Sequence, residues 1–282
     1  MSKDDYILRS ISKLRHKKWE LYALTKIIHS IDRDIEFVCQ QLVRLPNGKR
    51  ALTDVYFPQF NIHLEIDEGH HSTLEAIERD KKRSEQIISV TEMQIKRISI
   101  KNLETFDEEI NTFVSELKKS KEALIEEKSF THWDYEGQFN PEQHINRGYI
   151  SLDIGAMFRT HRDALQCFGY SGGNYQRASW KIPNQDDIDV WFPKLYENKK
   201  WNNELSADGN CIYERSIADH ESYRQRAKDN ACTRVVFGHE TDTFGKTLYR
   251  FKGVFKYDEN MSKGNAVTYK KICDRYKLPQ SQ

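Results

Sequence analysis

The spacing of apolar residues changes near residue 128, and this change constrains the fold more than any other feature of the sequence. Before that point, segments with helical spacing alternate with short segments rich in β-branched and aromatic residues. After it, aromatic and glycine-rich stretches such as CFGYSGGNYQRASW follow one another with frequent turn signals. A chain of 282 residues is long enough to bury two cores. We therefore predict an α+β protein of two domains, residues 1–128 and residues 129–282.

The first domain is predicted to combine helices with a small sheet. Apolar residues three to four positions apart predict one amphipathic helix from Tyr6 to Ile31. The segments DIEFVCQQLVR, ALTDVYFP and NIHLEIDE, separated by Pro and Gly, predict an antiparallel meander. A helix, a short strand (QIKRISI) and a last charged helix follow, and we interpret the last helix as a linker, with a dimer interface as the alternative. The second domain is predicted to be mostly β, a barrel or half-barrel.

Composition excludes several classes of protein. The five cysteines are scattered and form no CxxC pair, so neither a zinc knuckle nor a disulfide framework is predicted, and a reducing cytoplasm fits best. The N-terminus lacks the apolar core of a signal peptide, and no uncharged run is long enough to cross a bilayer, so no membrane role is expected. The formal net charge of +1 neither requires nor excludes nucleic acid.

Three carboxylates are predicted to meet on the meander. Glu65 and Asp67 are two positions apart in one strand, so they share a face, and the neighbouring antiparallel strand can bring Asp54 beside them. Left alone, these groups repel one another, whereas a hard divalent cation such as Mg²⁺, with Mn²⁺ as a substitute, prefers carboxylate oxygens. The pattern therefore indicates a metal site suited to phosphodiester hydrolysis.

Other candidate residues surround this site. His70 and His71 follow the third strand and offer an imidazole as general base, and Glu20 in the first helix is a weaker candidate for an outer ligand or water orienter. Asp80 and Arg83 are spaced for a supporting salt bridge across one helical turn. The alternatives are structural: Asp54 as a turn-capping residue, the strand carboxylates as an exposed face paired with lysines, or the histidines as part of a zinc site.

The motifs ALTDVYFPQFNIHLEIDEGHH, ERDKKR and QIKRISI resemble the Vsr-like branch of the PD-(D/E)XK nucleases. The resemblance implies an α/β nuclease domain with a central mixed sheet, in which Asp54 matches the metal-binding aspartate. The chain departs from the usual E-x-K, because Glu65 is followed by Asp67 with no lysine at that point. This departure shifts the role of general base towards His70 or His71.

The second domain offers residues for contacting a nucleic acid base. In LYENKKWNNELSADGNCIYER, Trp201 offers a stacking plane, Asn203 an amide for a base edge, and Glu214 an acceptor for an exocyclic amine. A flexible loop can enter a DNA groove with polar and aromatic side chains, namely Ser171, Asn174, Tyr175 and Arg177. The alternatives are a half-buried core tryptophan, a turn asparagine, a surface glutamate and an ordinary mobile hairpin tip.

The whole chain resembles the modification-dependent restriction endonucleases of the PvuRts/AbaSI type, on stretches that include YILRSISKLRHKKWE, FRTHRDALQCFGY and WFPKLYENKKW. The resemblance implies a Vsr-like nuclease followed by an SRA-like half-barrel that flips 5-hydroxymethylcytosine, or its glucosylated form, out of double-stranded DNA. By that resemblance Trp201, Asn203 and Glu214 match the modified-cytosine pocket. Cleavage of both strands, at a distance from the base, then calls for a homodimer. A nuclease directed by another base, such as 5-methylcytosine, and a non-cutting reader of modified DNA stay open as alternatives.

Overall fold

The chain has an N-terminal unit of helices and a small sheet, followed by a mostly β unit, which confirms the predicted fold class. The computed structural model describes residues 2–46, 48–67, 74–100, 102–198, 201–217, 225, 227–228, 232–263 and 266–279. The units comprise residues 1–136 with 243–245, and residues 137–242 with 246–282. The first unit continues past residue 128 because Trp133 and Tyr135 pack into its core. Among the described residues, no helix has the length and apolar character needed to span a membrane.

A four-stranded mixed sheet forms the centre of the N-terminal unit. Its strands are β1 (Val38–Arg44), β2 (Arg50–Phe57), β3 (Ile62–Asp67) and β4 (Gln94–Ser99). They lie in the order β1-β2-β3-β4, with the first three antiparallel and β4 parallel to β3. The predicted meander and the later strand are therefore both present.

The prediction of one continuous helix from Tyr6 to Ile31 is wrong, because the chain turns between residues 13 and 17. The amide of Leu14 donates to the Ile11 carbonyl at 2.9 Å and the amide of Lys17 donates to the Leu14 carbonyl at 2.8 Å, which closes a tight turn. The turn buries Leu14 completely and starts a second helix with Glu20 in its first turn. The helices of this unit are α1 (Lys3–Ser12), α2 (Lys18–Ser30), α3 (Leu74–Thr91) and α4 (Leu103–Glu126).

Helix α4 is part of the N-terminal core, so its interpretation as a linker is wrong. Asn102 caps the helix by accepting a hydrogen bond from the Thr105 amide at 2.9 Å. One face of the helix is apolar and packs into the same core as α2 and the sheet. The buried residues on that face are Phe106, Ile110, Phe113, Val114 and Leu117.

The C-terminal unit is built on an eight-stranded sheet. Its main path has the order β7-β8-β11-β12-β13-β10-β9, with β6 paired to β12 and with β8 parallel to β11. Phenylalanines dominate the core between the sheet and two short helices, and Phe158, Phe168 and Phe237 are almost fully buried. The elements are α5 (Glu142–Arg147), β5 (Tyr149–Ser151), β6 (Met157–Phe158), α6 (His161–Gln166), β7 (Ser179–Lys181), β8 (Ile188–Trp191), β9 (Trp201–Leu205), β10 (Cys211–Ser216), β11 (Thr233–Thr241), β12 (Thr247–Tyr257), β13 (Ala266–Cys273) and β14 (Arg275–Lys277).

Candidate functional site

An acidic cleft in the N-terminal unit contains four of the residues singled out in the sequence. The cleft has a volume of about 580 Å³. Glu20, Asp54, Glu65 and Asp67 all line it, so the predicted carboxylates do meet. The remaining described lining residues are Lys17, Gln40, Leu52, Ile66, Asp80, Arg83 and Arg97. The predicted histidines His70 and His71 lie outside the described residues.

Strand register explains why the carboxylates share the cleft. Val55 pairs with Leu64 in the antiparallel β2–β3 ladder, so Asp54 lies opposite Glu65 one step further along. Residues directly opposite each other in such a ladder project from the same face of the sheet. Asp67 lies two residues beyond Glu65 and therefore projects from that face as well.

Asp54 is fixed in the cleft by hydrogen bonds to both of its carboxylate oxygens. The Ile66 amide donates to Oδ2 at 3.0 Å, and the Gln40 side-chain Nε2 donates to Oδ1 at 3.2 Å. Gln40 lies in β1 with a positive φ of 52°, a conformation that is uncommon for residues other than glycine. Gln40 was not predicted from the sequence, because nothing in a strand pattern signals a left-handed residue that directs its side-chain amide towards the neighbouring strand.

Lys17 places an ammonium group between two of the carboxylates. Its Nζ lies 2.9 Å from Glu20 Oε1 and 3.4 Å from Asp54 Oδ1. Burial lowers the pKa of Lys17, but the hydrogen bond to Glu20 and the charge of Asp54 outweigh burial and raise the pKa above its usual value. The other oxygen of Glu20, Oε2, is buried and has no hydrogen-bond partner among the described residues. The break between α1 and α2 produces this arrangement, since Lys17 immediately precedes the second helix.

Glu65 is held by two arginines. Arg83 Nη1 lies 3.0 Å from Glu65 Oε1, and Arg97 Nη2 lies 3.2 Å from Glu65 Oε2. Arg97 reaches Glu65 because the two residues are partners in the parallel β3–β4 ladder. The predicted salt bridge between Asp80 and Arg83 is wrong, because Arg83 turns towards the sheet, where it also donates to the Leu52 carbonyl.

The charges of the cleft do not cancel. Among the described lining residues, five carboxylates face three cationic side chains, which leaves two negative charges. Lys17, Arg83 and Arg97 thus supply part of the positive charge that the sequence analysis assigned to a metal ion. Within the described ranges, no group of three or more His, Cys, Asp or Glu residues is already arranged to hold a metal.

A second cavity, of about 740 Å³, lies in the C-terminal unit and contains all three residues predicted to contact a base. Asn203 on β9 pairs with Glu214 on β10, so the two side chains project from one face, and Trp201 lies two residues from Asn203 on the same face. Asn203 and Glu214 are each only 6% exposed. Asn203 Oδ1 is buried with no hydrogen-bond partner among the described residues.

Part of the predicted groove loop also lines this cavity. Asn174 and Tyr175 are lining residues, whereas Ser171 and Arg177 are exposed and are not. The Tyr175 hydroxyl donates to the Ser179 carbonyl at 2.5 Å, which ties the loop to β7. His161 forms part of the wall and stacks on Phe192 with ring centroids 4.1 Å apart. Burial lowers the pKa of His161 to about 4, so the ring is neutral near pH 7.

Comparison with known proteins finds a matching family for each of the two units. Residues 4–137 match the family described as restriction endonuclease PvuRts1 I-like, N-terminal, and residues 143–278 match the SET and RING associated (SRA) domain. A solved structure entitled "The 5-Hydroxymethylcytosine-Specific Restriction Enzyme AbaSI" is 33% identical, with a TM-score of 0.66, over 99% of this chain and 98% of that chain. No curated protein matches the chain. The chain therefore belongs to the PvuRts1I-like family of restriction endonucleases, in which the N-terminal domain is joined to an SRA domain.

Proposed function

We propose that this protein flips 5-hydroxymethylcytosine, or its glucosylated form, out of double-stranded DNA into the C-terminal cavity. In this proposal the N-terminal unit hydrolyses phosphodiester bonds at a distance from that base, with Mg²⁺ as the cofactor and Mn²⁺ as a substitute. The family membership and the 5-hydroxymethylcytosine specificity of the similar enzyme AbaSI support the choice of base. The observation that best supports hydrolysis of DNA is the acidic cleft of the N-terminal unit.

The charge and the chemical type of the donors in the cleft suit a divalent cation, although no three of the described residues are yet arranged around one. The two uncompensated negative charges equal the charge of one such ion, and carboxylate oxygens are the ligands that Mg²⁺ prefers. Asp54, Asp67 and Glu20 are the residues that would hold it, since Glu20 Oε2 is a buried oxygen without a partner. Glu65, the third predicted ligand, contributes less to this set, because two cationic guanidinium groups contact its oxygens, whereas Asp54 contacts one cation, Lys17. When bound, a divalent ion polarises the phosphodiester and lowers the pKa of a coordinated water.

The chain's own residues supply the remaining functions of the cleft. The guanidinium groups of Arg83 and Arg97 are suited to binding phosphate oxygens, because each carries more N–H donors than Glu65 uses. The Gln40 amide and the Ile66 amide hold the Asp54 carboxylate in one orientation. His70 or His71 is proposed as the general base that accepts a proton from the attacking water.

Burial of polar groups supports base binding in the C-terminal cavity. A buried side-chain oxygen without a partner costs about 1–3 kcal/mol, so an unpaired Asn203 Oδ1 favours a ligand that donates to it. Trp201 offers a stacking surface, and the Glu214 carboxylate can accept from the exocyclic amine of cytosine. Each chain has one such cavity and one cleft among its described residues, so cleavage of both strands requires two chains, most simply a homodimer.

A digestion panel tests this proposal. Otherwise identical DNA duplexes carrying cytosine, 5-methylcytosine, 5-hydroxymethylcytosine or its glucoside are incubated with the protein and Mg²⁺, and fragments are counted. We expect fragments from the hydroxymethylated or glucosylated DNA only. Fragments from methylated DNA alone would instead indicate a nuclease directed by 5-methylcytosine. Selective binding without fragments, under Mg²⁺ and under Mn²⁺, would indicate a non-cutting reader.

A further inference from the structure

A buried arginine, Arg234 on β11, lines the C-terminal cavity together with the three residues predicted to contact a base. Its side chain is only 14% exposed. The guanidinium carbon lies 4.6 Å from the ring centroid of Trp191 and 4.6 Å from that of Tyr269. Two aromatic rings therefore contact the guanidinium and restrict its movement, which limits the positions from which its N–H groups can donate.

Arg234 has a buried hydrogen-bond donor that no described residue satisfies. Its Nε lies 3.9 Å from Asp189 Oδ1, too far for a hydrogen bond, and has no hydrogen-bond partner among the described residues. The charge itself is stabilised, because burial lowers the pKa of Arg234 but Tyr269, Asp189 and Glu214 more than compensate and raise the pKa above its usual value. A buried N–H group without a partner is costly, which favours a ligand that accepts hydrogen bonds from this guanidinium.

Glu214 and Arg234 line the same cavity, and one is a hydrogen-bond acceptor whereas the other is a hydrogen-bond donor. An ionised carboxylate only accepts hydrogen bonds, whereas a guanidinium only donates them. The hydrogen-bonding edge of cytosine has an amine donor at N4 and acceptors at N3 and O2. Uracil and thymine have the opposite hydrogen-bonding character at the first two of these positions, with an acceptor, O4, in place of the N4 amine and a donor, N3–H, in place of the N3 acceptor. A cavity whose acceptor faces the position of N4 and whose donor faces N3 and O2 therefore matches cytosine and opposes uracil and thymine.

We propose that Arg234 is a specificity-determining residue that donates to the N3 and O2 edge of a flipped cytosine while Glu214 accepts from N4. The pair then recognises the cytosine ring whatever group is attached at carbon 5. This inference rests on the proposed function, because it requires that a flipped base enters this cavity. It adds a requirement for cytosine over uracil that the 5-hydroxymethyl group cannot supply.

The test compares two bases that carry the same 5-hydroxymethyl group. DNA duplexes contain one 5-hydroxymethylcytosine, 5-hydroxymethyluracil or cytosine opposite an abasic site, so that no base pair has to be broken. Affinities are measured in the presence of a chelator, which prevents cleavage. We expect the wild-type protein to bind 5-hydroxymethylcytosine at least about tenfold more tightly than 5-hydroxymethyluracil. Arg234→Met should remove most of this ratio, chiefly by weakening the binding of 5-hydroxymethylcytosine.

Two further variants keep the result interpretable. Arg234→Lys retains a positive charge beside Asp189 but loses the planar guanidinium with its several N–H donors. We expect this variant to lose part of the preference for 5-hydroxymethylcytosine over 5-hydroxymethyluracil. It provides the test if Arg234→Met does not fold. Arg215→Met is the matched control, because Arg215 lies next to Glu214 on β10 but contacts Glu204 at 3.3 Å and is not a described lining residue of the cavity. The control should keep the wild-type ratio.

The outcomes separate this inference from the proposed function. Equal wild-type affinities for the two hydroxymethylated bases, or an unchanged ratio in a folded Arg234 variant, would overturn the role of Arg234. Equal wild-type affinities for 5-hydroxymethylcytosine and plain cytosine would count against the proposed function instead. A reduced ratio in the Arg234 variants with an unchanged ratio in Arg215→Met supports the inference.

Discussion

Lys17→Met removes the ammonium group that lies between two carboxylates of the acidic cleft. The lysine side chain is 40% exposed, whereas the side chains of Glu20 and Asp54 are 9% and 17% exposed. Partly exposed ion pairs each contribute up to about 1 kcal/mol, so losing both should lower the free energy of unfolding of the metal-free protein by up to about 2 kcal/mol. The loss comes from carboxylate repulsion that Lys17 no longer offsets.

The same substitution should strengthen metal binding. In the wild-type protein, a divalent ion must compete with Lys17 for the oxygens of Glu20 and Asp54. Without the lysine, that competition disappears and the cleft carries one more negative charge. The same energy, up to about 2 kcal/mol, no longer opposes the metal, and since about 1.4 kcal/mol corresponds to a factor of ten, the affinity for Mn²⁺ should rise by up to about 30-fold. Stability and metal affinity thus change in opposite directions.

Two measurements check this prediction. Chemical denaturation with a chelator present gives the stability of the metal-free protein, and isothermal titration calorimetry gives the affinity for Mn²⁺. Lys26→Met is the matched control, because Lys26 lies in α2, the helix that Lys17 precedes, and pairs with Asp107 at 2.7 Å but does not line the cleft. Its Mn²⁺ affinity should equal that of the wild type. If folded Lys17→Met binds Mn²⁺ no more tightly than the wild type, Lys17 does not compete for the metal ligands.

Three further outcomes are expected. Asp67→Ala should abolish cleavage in the digestion panel while leaving the discrimination between modified and plain DNA intact, and surviving cleavage would show that Asp67 is not needed for the cutting reaction. Trp201→Ala should lose affinity for modified DNA or discrimination in a gel-shift assay, and an unchanged preference would remove Trp201 from the base pocket. Burial lowers the pKa of His63 to about 4, and burial with Arg147 nearby does the same for His144. Below about pH 6.5 these two histidines therefore bind protons in the unfolded chain but not in the folded chain, which favours unfolding. The free energy of unfolding keeps its full value above that pH and falls between about pH 6.5 and pH 4. At pH 5 the loss is roughly 2 kcal/mol for each histidine. Chemical denaturation at pH 7.5 and pH 5 measures this loss, and equal stabilities would contradict it.

The residues that share a strand face could be predicted from the sequence. The two-residue period of a strand relates Glu65 to Asp67 and Trp201 to Asn203, and the structure places each pair on one face. Asp54 and Glu214 lie on the neighbouring antiparallel strands, which are joined to these strands by short loops. Strand pairing therefore places Asp54 opposite Glu65 and Glu214 opposite Asn203. These relations are local in the chain, so a pattern of spacing is enough to find them.

The cationic partners could not be predicted in the same way. Lys17 reaches the cleft only because the first predicted helix is broken, and that break depends on the burial of Leu14 in the folded core. Arg97 contacts Glu65 through a parallel strand pairing whose register a single sequence does not reveal. Arg234 lines the C-terminal cavity because of the order of strands in the large sheet. Basic residues are common, and nothing in their spacing distinguishes these from solvated ones.

The distribution of charge offers a physical account of the departure from the E-x-K pattern. An aspartate at position 67 in place of a lysine makes a cleft more negative by two charges, which would increase repulsion around Asp54 and Glu65. The cleft contains three cations from other elements, namely Lys17 before α2, Arg83 on α3 and Arg97 on β4. Two of them neutralise Glu65, and the third lies beside Glu20 and Asp54. The positive charge is therefore supplied from three directions, while Asp67 keeps an exposed carboxylate at the end of β3, where a hydrated divalent ion can approach it.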